Sequence, residues 1–291
     1  MSETVKSSDW GEASQAATAV APFEQQLSRD LDHAMNEASQ LFEGKGKVYE
    51  TFDRITRKLD ELGVEYAVCG GLALFAYGFR RFTEDVDVLV TADGLRTLHE
   101  KLDGLGFVRP FAQSKNLRDV NTGVRIEFLI AGQFPGDGKP KAISFPDPAQ
   151  VAELIGGRRI LSLNKLIELK LASGLTGAGR EKDFGDVSSL IQKVGLPLAY
   201  ADSLHPDVRE KFQSIWRSAN APSRYVLAWP HGSDPAKLSA MLNAGVETEQ
   251  AKTTAAYQYL ITTDAGLAQR YQMVPEEEFY YEPGSEGPAF K

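Results

Sequence analysis

Two aspartates two residues apart, Asp85 and Asp87, stand inside the otherwise apolar segment DVDVLV at 85–90. Successive side chains of a strand point to opposite faces, so both carboxylates would share one face while Val86 and Val88 enter the core. Two neighbouring carboxylates raise each other's pKa unless a cation neutralises them. Mg²⁺ or Mn²⁺ is the cation that such oxygen ligands prefer. The spacing therefore predicts a divalent metal site.

A third carboxylate, Glu127, lies between apolar residues in the segment RIEFL at 125–129. If this segment forms an adjacent strand, Glu127 completes a cluster with Asp85 and Asp87. A cluster of three carboxylates can hold two metal ions, and two ions can stabilise the attacking and leaving oxygens of an in-line displacement at phosphorus. We therefore expect Glu127 to be a metal ligand that also assists deprotonation.

A glycine pair, Gly70 and Gly71, precedes the acidic segment. It follows a predicted strand and opens a predicted helix, a position where glycines let backbone N–H groups approach phosphate. Arg80 and Arg81 lie just before the acidic strand, where guanidinium groups can bind phosphate oxygens. Together these residues indicate a site for a phosphorylated substrate.

The elements that must position these residues follow from local patterns. Strand-like segments at 65–69, 85–90 and 124–130 alternate with a turn into a helix at 70–78 and a helix at 94–104. Such alternation predicts a small mixed sheet with helices packed on it. Apolar periodicity predicts further helices at 22–42, 48–62, 162–175, 181–195, 206–218, 235–244 and 247–270.

The motifs resemble a known superfamily. A glycine pair, a 13-residue spacer and Asp-Val-Asp-Val are similar to the nucleotidyltransferase motif of the DNA polymerase β superfamily. The segment RRFTEDVDVLV resembles the Arg-x-Thr-x-Asp-x-Asp form of its minimal and toxin-like members. Downstream, LIELKLASG and EKDFGDVSSL resemble the third and fourth motifs of the AbiEii/MenT-like nucleotidyltransferase toxins. The resemblance covers roughly residues 48–195.

The resemblance implies roles for individual residues. It assigns Asp85 and Asp87 to the metal and Lys170 to a phosphate, and it places Asp183 near the catalytic centre. It further implies nucleotide-binding roles for the residues Gly70, Gly71, Arg81, Thr83, Lys170 and Asp186. The chain has Gly71 where many relatives have Ser, and Glu127 where polymerase-like members usually have Asp. Alternatively, Lys170 is a solvated helix lysine, and Asp183 or Asp186 is only a structural partner of Lys170 or Arg180.

These observations together predict an α+β fold. Its parts would be a polar and helical N-terminal extension over 1–45, a small mixed-sheet nucleotidyltransferase core over 46–160, and a mostly helical C-terminal region with an acidic tail over 161–291. The core would move a nucleoside monophosphate from an NTP to an acceptor hydroxyl with Mg²⁺ or Mn²⁺. The sequence does not decide the identity of the acceptor, which could be tRNA or another RNA, a protein, or a small hydroxylated molecule such as an antibiotic. A catalytically silent nucleotide-binding module is the third alternative.

Composition limits the partners. The formal net charge of −8 argues against tight non-specific nucleic-acid binding, although it permits a local basic groove. The toxin-like resemblance implies an antitoxin or another partner protein.

The single cysteine, Cys69, forms no intrachain disulfide and fits a reducing compartment, so a cytoplasmic location is expected. The chain has no 18-residue apolar run, so no membrane span is expected.

Overall fold

The computed structural model describes residues 21–250, 253–280 and 289–290, so most of the acidic tail and the first 20 residues of the predicted extension lie outside the described residues. The helices are α1 Phe23–Arg29, α2 Leu31–Phe42, α3 Gly46–Glu61, α4 Gly70–Ala76, α5 Ala92–Leu102, α6 Pro148–Val151, α7 Leu163–Thr176, α8 Glu181–Val194, α9 Pro206–Ala219, α10 Pro235–Asn243 and α11 Ala265–Tyr271. Short 3₁₀ helices lie at Leu198–Ser203 and Glu276–Glu278. The strands are β1 Tyr66–Val68, β2 Asp85–Val90, β3 Phe107–Val108, β4 Leu117–Asp119, β5 Arg125–Ile130, β6 Ala152–Ile155, β7 Arg158–Leu161, β8 Tyr225–Pro230, β9 Glu247–Thr248, β10 Tyr257–Thr262, β11 Val274–Pro275, β12 Phe279–Tyr280 and β13 Ala289–Phe290.

A seven-stranded mixed sheet forms the centre of the first part of the chain, in the order β3-β4-β5-β2-β1-β7-β6. Strand β2 is parallel to β5 and antiparallel to β1, while β1 is parallel to β7. Val86, Val88 and Val90 of β2 are fully buried, whereas Asp85 and Asp87 are half-buried on the opposite face. The predicted α+β class, with a small mixed sheet and flanking helices, is confirmed.

The chain divides into two compact units, with the boundary between Ala219 and Asn220. The first unit contains the seven-stranded sheet and the helices up to α9. The second contains a four-stranded sheet in the order β11-β8-β10-β9, with α10 and α11. Within the C-terminal region expected to be mostly helical, α7, α8 and α9 lie in the first unit, whereas α10 and α11 lie in the second unit beside its four-stranded sheet.

Two sequence predictions of helices are wrong. The helix expected over 22–42 is divided at Asp30, which is extended and whose carboxylate accepts a hydrogen bond from the backbone N–H of His33 at 3.0 Å, as an N-cap aspartate does. The helix expected over 247–270 is replaced at 257–262 by strand β10, where aromatic and β-branched residues pair with β8. Only Ala265–Tyr271 is helical near the end of that range.

No helix in the described part of the chain is both long and apolar enough to cross a membrane. The one cysteine, Cys69, is buried at the end of β1. Burial raises the pKa of its thiol well above the usual range, as expected for an inert core cysteine.

Candidate active site

The register between β2 and β5 brings the three predicted carboxylates together. Asp87 lies directly opposite Glu127 in this parallel pair, and Asp85 is two residues before Asp87 on the same face. One oxygen from each of Asp85, Asp87 and Glu127 lies within 4.8 Å of the others. Three carboxylate oxygens at this separation form a donor set suited to a hard divalent cation such as Mg²⁺ or Mn²⁺.

Asp87 is the carboxylate whose protonation is most strongly perturbed. Burial, followed by the negative charges of Asp85 and Glu127, raises its pKa to about 7, and the nearby Lys170 and Arg81 oppose this rise only partly. The negative charge of the cluster is therefore not compensated by its surroundings. Binding of a divalent cation would remove this imbalance, so the residues fit the metal that the sequence predicts.

Arg125 lies beside the cluster, and the sequence analysis missed it. Its Nη2 atom is 2.7 Å from a Glu127 oxygen and 3.2 Å from Asp85 Oδ2, so one guanidinium holds two of the three carboxylates. The signal was available, because residues two apart on a strand share a face and Arg125 is two residues before Glu127. One cation against three carboxylates still leaves the cluster negative.

The glycine pair makes room for the acidic strand. Gly70 has a left-handed φ of +57°, and a Cβ atom there would overlap the Asp87 carboxylate. A Cβ atom on Gly71 would lie 2.7 Å from Cβ of Thr83, whose hydroxyl donates a hydrogen bond to Asp85 at 2.9 Å. Both glycines are therefore required by packing. Their predicted contact with phosphate stays a prediction.

The downstream motif forms a buried charge network between α7 and α8. Lys170 Nζ lies 3.1 Å from Asp183 Oδ1 and 2.6 Å from Asp186 Oδ2. Arg81 pairs with the same Asp186, at 3.0 Å through Nε and 3.2 Å through Nη2. Lys170 and both aspartates are less than 10% exposed. The charges of two cations thus balance those of two carboxylates. This is the structural pairing that was left open above as an alternative to a functional role for Asp183 or Asp186.

One oxygen of this network has no partner. Asp183 Oδ2 is buried, and no donor of the described residues bonds to it. A buried carboxylate oxygen without a hydrogen bond is costly unless a ligand satisfies it. Asp183 also lines the cleft that contains the carboxylate cluster.

This cleft, of about 200 Å³, joins the carboxylates to the charge network. Of the residues predicted to act, the cleft is lined by Gly70, Arg81, Thr83, Asp85, Asp87, Glu127, Lys170 and Asp183. Gly71 packs against Thr83, and Asp186 pairs with Lys170 and Arg81, so these two support lining residues instead. Arg80 is exposed and stacks on the ring of Phe75.

The cleft also contains lining residues that the sequence analysis did not select. Two are the exposed cations Arg180 and Lys182, at the start of α8. Apolar walls are formed by Leu129, Pro135, Phe145, Leu161, Leu166 and Leu169. A cleft with acidic residues, cations and apolar walls can hold a metal-bound phosphate ester together with a flat apolar group.

Comparisons with known proteins give weak likenesses. No family model matches the chain, and no curated protein matches it. Among solved structures, the chain is similar to ANT(2'')-Ia bound to adenylyl-2''-tobramycin, with 16% identity over 59% of this chain and 98% of that one and a TM-score of 0.36. The solution structure of the antibiotic-resistance factor ANT(2'')-Ia covers 58% of this chain and 91% of its own, with 16% identity and a TM-score of 0.33.

A further solved structure is an antigenic nucleotidyltransferase-like protein from Paracoccidioides brasiliensis, with 22% identity over 55% of this chain and 88% of that one and a TM-score of 0.33. These neighbours are nucleotidyltransferases or resemble them. Likenesses of this degree assign no family and no acceptor to this chain. The functional argument rests on the residues of the cleft, and the AbiEii/MenT-like branch stays a prediction.

Proposed function

We propose that this protein is a metal-dependent nucleotidyltransferase, which moves a nucleoside monophosphate from an NTP to an acceptor hydroxyl and releases pyrophosphate. The observation that carries the proposal is the carboxylate cluster of Asp85, Asp87 and Glu127 on adjacent parallel strands, facing a cleft that also holds cations. Among the described residues, Arg125 is the one cation that forms an ion pair with this cluster, so most of its negative charge is left for a bound cation to neutralise.

Asp85, Asp87 and Glu127 would hold Mg²⁺ or Mn²⁺. The bound metal would supply positive charge to the reacting oxygens and favour the deprotonated acceptor hydroxyl. In the transfer, a bond forms between the acceptor oxygen and the α-phosphorus. The bond from that phosphorus to the bridging oxygen of the β-phosphate breaks, and the acceptor proton leaves to a base. Glu127 is the residue proposed to assist this deprotonation.

The remaining predicted residues would position the nucleotide and the acceptor. Gly70 and Thr83 would line the phosphate path, with Gly71 behind them, and Arg81 and Lys170 would face the phosphates from the charge network. The free Oδ2 of Asp183 would accept a hydrogen bond from the acceptor hydroxyl. Asp186 would act by holding Lys170 and Arg81 in place.

We favour an RNA acceptor of the kind modified by toxin-like enzymes. Support comes from the small number of carboxylates in the cleft that are left for an acceptor. A cationic small molecule would instead need further carboxylates. Beyond the metal cluster, Asp183 is the one carboxylate among the described lining residues, and Lys170 already pairs with its other oxygen. An antitoxin partner would follow from the toxin-like role.

The test is to incubate the protein with each labelled NTP, Mg²⁺ or Mn²⁺, and either total RNA, a protein lysate or an aminoglycoside. We expect label in the RNA fraction and release of pyrophosphate. Asp87→Asn should abolish both, because it removes a metal ligand without changing the side-chain size. The matched control is Asp93→Asn on α5, whose carboxylate is 82% exposed.

Each alternative has its own result. Label on the aminoglycoside would establish the small-molecule transferase, and NTP binding without pyrophosphate release would establish the silent nucleotide-binding module. Full turnover by Asp87→Asn would overturn the metal-dependent scheme itself.

A further inference from the structure

We infer that Arg180 and Lys182 form a polyphosphate subsite, which binds the β- and γ-phosphates of the NTP and the pyrophosphate that leaves. The inference deepens the proposed function and rests on it. Both residues line the cleft that contains Asp85 and Asp87. The resemblance that motivates the proposed function places Lys170, and neither of these residues, on a phosphate.

Lys170 is already neutralised by its neighbours. Its ammonium lies between Asp183 and Asp186, at 3.1 and 2.6 Å, and is almost fully buried. Arg81 adds one positive charge to this network through Asp186. The four groups sum to zero charge, so the network offers little net attraction to a triphosphate.

Arg180 and Lys182, in contrast, are exposed and form no ion pair among the described residues. Within the described residues, no carboxylate forms an ion pair with either side chain, whereas Arg81 and Arg125 beside the same cleft are both paired. Glu181, between the two cations in sequence, is exposed and is not among the residues that line the cleft. Because the network around Lys170 is neutral, Arg180 and Lys182 supply the net positive charge on the α7–α8 side of the cleft.

Arg180 and Lys182 also lie at the start of a helix. Arg180 is the N-cap residue of the 14-residue helix α8, and Lys182 belongs to its first turn. The positive end of the helix dipole adds to their charge at this point. A triphosphate whose α-phosphate lies at the carboxylate cluster would extend its β- and γ-phosphates along the same cleft, which Arg180 and Lys182 also line.

This placement also suits the chemistry. When the bond from the α-phosphorus to the bridging oxygen breaks, the electron pair stays on the pyrophosphate, whose negative charge increases. Guanidinium and ammonium groups stabilise such charge through charge-assisted hydrogen bonds. Arg180 and Lys182 would thus bind the substrate and favour departure of the leaving group.

The test compares NTP, NMP and inorganic pyrophosphate binding, with Mn²⁺ present, in the wild-type protein and in Arg180→Gln/Lys182→Gln. For the NTP that binds best, we expect the double variant to weaken NTP and pyrophosphate binding by about tenfold or more, since two charge-assisted contacts are lost. Binding of the corresponding NMP should be unchanged, because it lacks the β- and γ-phosphates. Both residues are exposed, so the fold should be retained.

The matched control is Lys193→Gln/Arg217→Gln, which removes two exposed charges near the ends of α8 and α9 and should leave all three affinities unchanged. Arg180→Lys/Lys182→Arg keeps the charge and should recover most of the NTP affinity. Wild-type NTP affinity in the double Gln variant, or an equal loss for NTP and NMP, would overturn the subsite while leaving the proposed function standing. If the wild-type protein binds no NTP, the proposed function and the subsite both fail.

Discussion

At the residue scale, the carboxylates of the cluster are fixed by contacts with specific neighbours. Asp87 lies against Gly70 and across from Glu127, Asp85 accepts from Thr83, and Arg125 pairs with two of the three carboxylates. The carboxylates are thus held in place before any ligand binds. Such preorganisation lowers the cost of assembling a metal site.

Gly70→Ala should disrupt this arrangement. The new methyl group would overlap the Asp87 carboxylate, and an L-residue at φ +57° is strained in addition. We expect a loss of about 2–4 kcal/mol in unfolding free energy, measured by urea denaturation, together with loss of Mn²⁺ binding. The control is Gly63→Ala, because Gly63 has a similar φ of +65° but nothing within 4 Å of a Cβ. Equal losses in the two variants would show that the overlap with Asp87 is unimportant.

The raised pKa of Asp87 predicts a dependence of stability on pH. With a pKa of about 7 in the folded chain and an ordinary value near 3.8 when unfolded, the folded state binds the extra proton between these pH values. The Asp87 contribution to the stability of the EDTA-treated protein should therefore be lost as pH rises from about 4 through about 7, and it should level off at higher pH. Asp87→Asn should lack this component, so the difference between the two urea-unfolding profiles isolates it. Identical pH profiles would show that the Asp87 pKa is unperturbed.

At the element scale, the pair α7 and α8 forms one wall of the cleft. Lys170 on α7 joins Asp183 and Asp186 on α8, and Arg81, from the segment before β2, joins Asp186. The network therefore connects the helix pair to the segment that precedes the acidic strand.

Lys170→Met should leave two buried carboxylates with only Arg81 as a counter-charge. We expect a loss of about 3–5 kcal/mol in unfolding free energy, because the buried carboxylates would lose the positive charge that offsets the cost of removing them from water. Adding Asp183→Asn to Lys170→Met should recover part of the loss. Lys58→Met is the control, because Lys58 and Glu61 form an exposed pair that contributes less than about 1 kcal/mol. A loss as small as that of Lys58→Met would show that the network is not a structural brace.

At the scale of the whole molecule, the two units have separate hydrophobic cores. The core of the first unit extends from Phe23 to Phe212, and the core of the second is formed by Trp229, Met241, Val246, Leu260, Ala268, Tyr271 and Met273. Every residue that lines the cleft belongs to the first unit. The described lining of the cleft therefore comes from one unit.

A chain ending at Ala219 should fold and keep the site. We expect cooperative thermal unfolding and Mn²⁺ affinity within about twofold of the full chain, because a unit with its own core folds independently. Asp87→Asn in the shortened chain is the control for specific binding. A shortened chain that aggregates, or that is folded but binds no Mn²⁺, would contradict this division.

Much of the site could be predicted from local patterns. The period of two placed Asp85 and Asp87 on one face, and apolar flanks identified Glu127 as their neighbour, because strand alternation is a property of the backbone itself. The same rule identifies Arg125 once its position two residues before Glu127 is considered. The second unit was harder, since β10 has no sustained alternation of polar and apolar residues and its pairing with β8 joins residues about 30 positions apart.

The sequence by itself determined the acidic strand, the glycine pair and the expected chemistry, because these depend on residues close together in the chain. Only the tertiary structure decided which charges are free. It also showed that the absence of a side chain at Gly70 and Gly71 leaves room for Asp87 and Thr83. It also paired Lys170 with two aspartates. Ion pairing depends on distances between side chains on different elements, and no local pattern contains those distances.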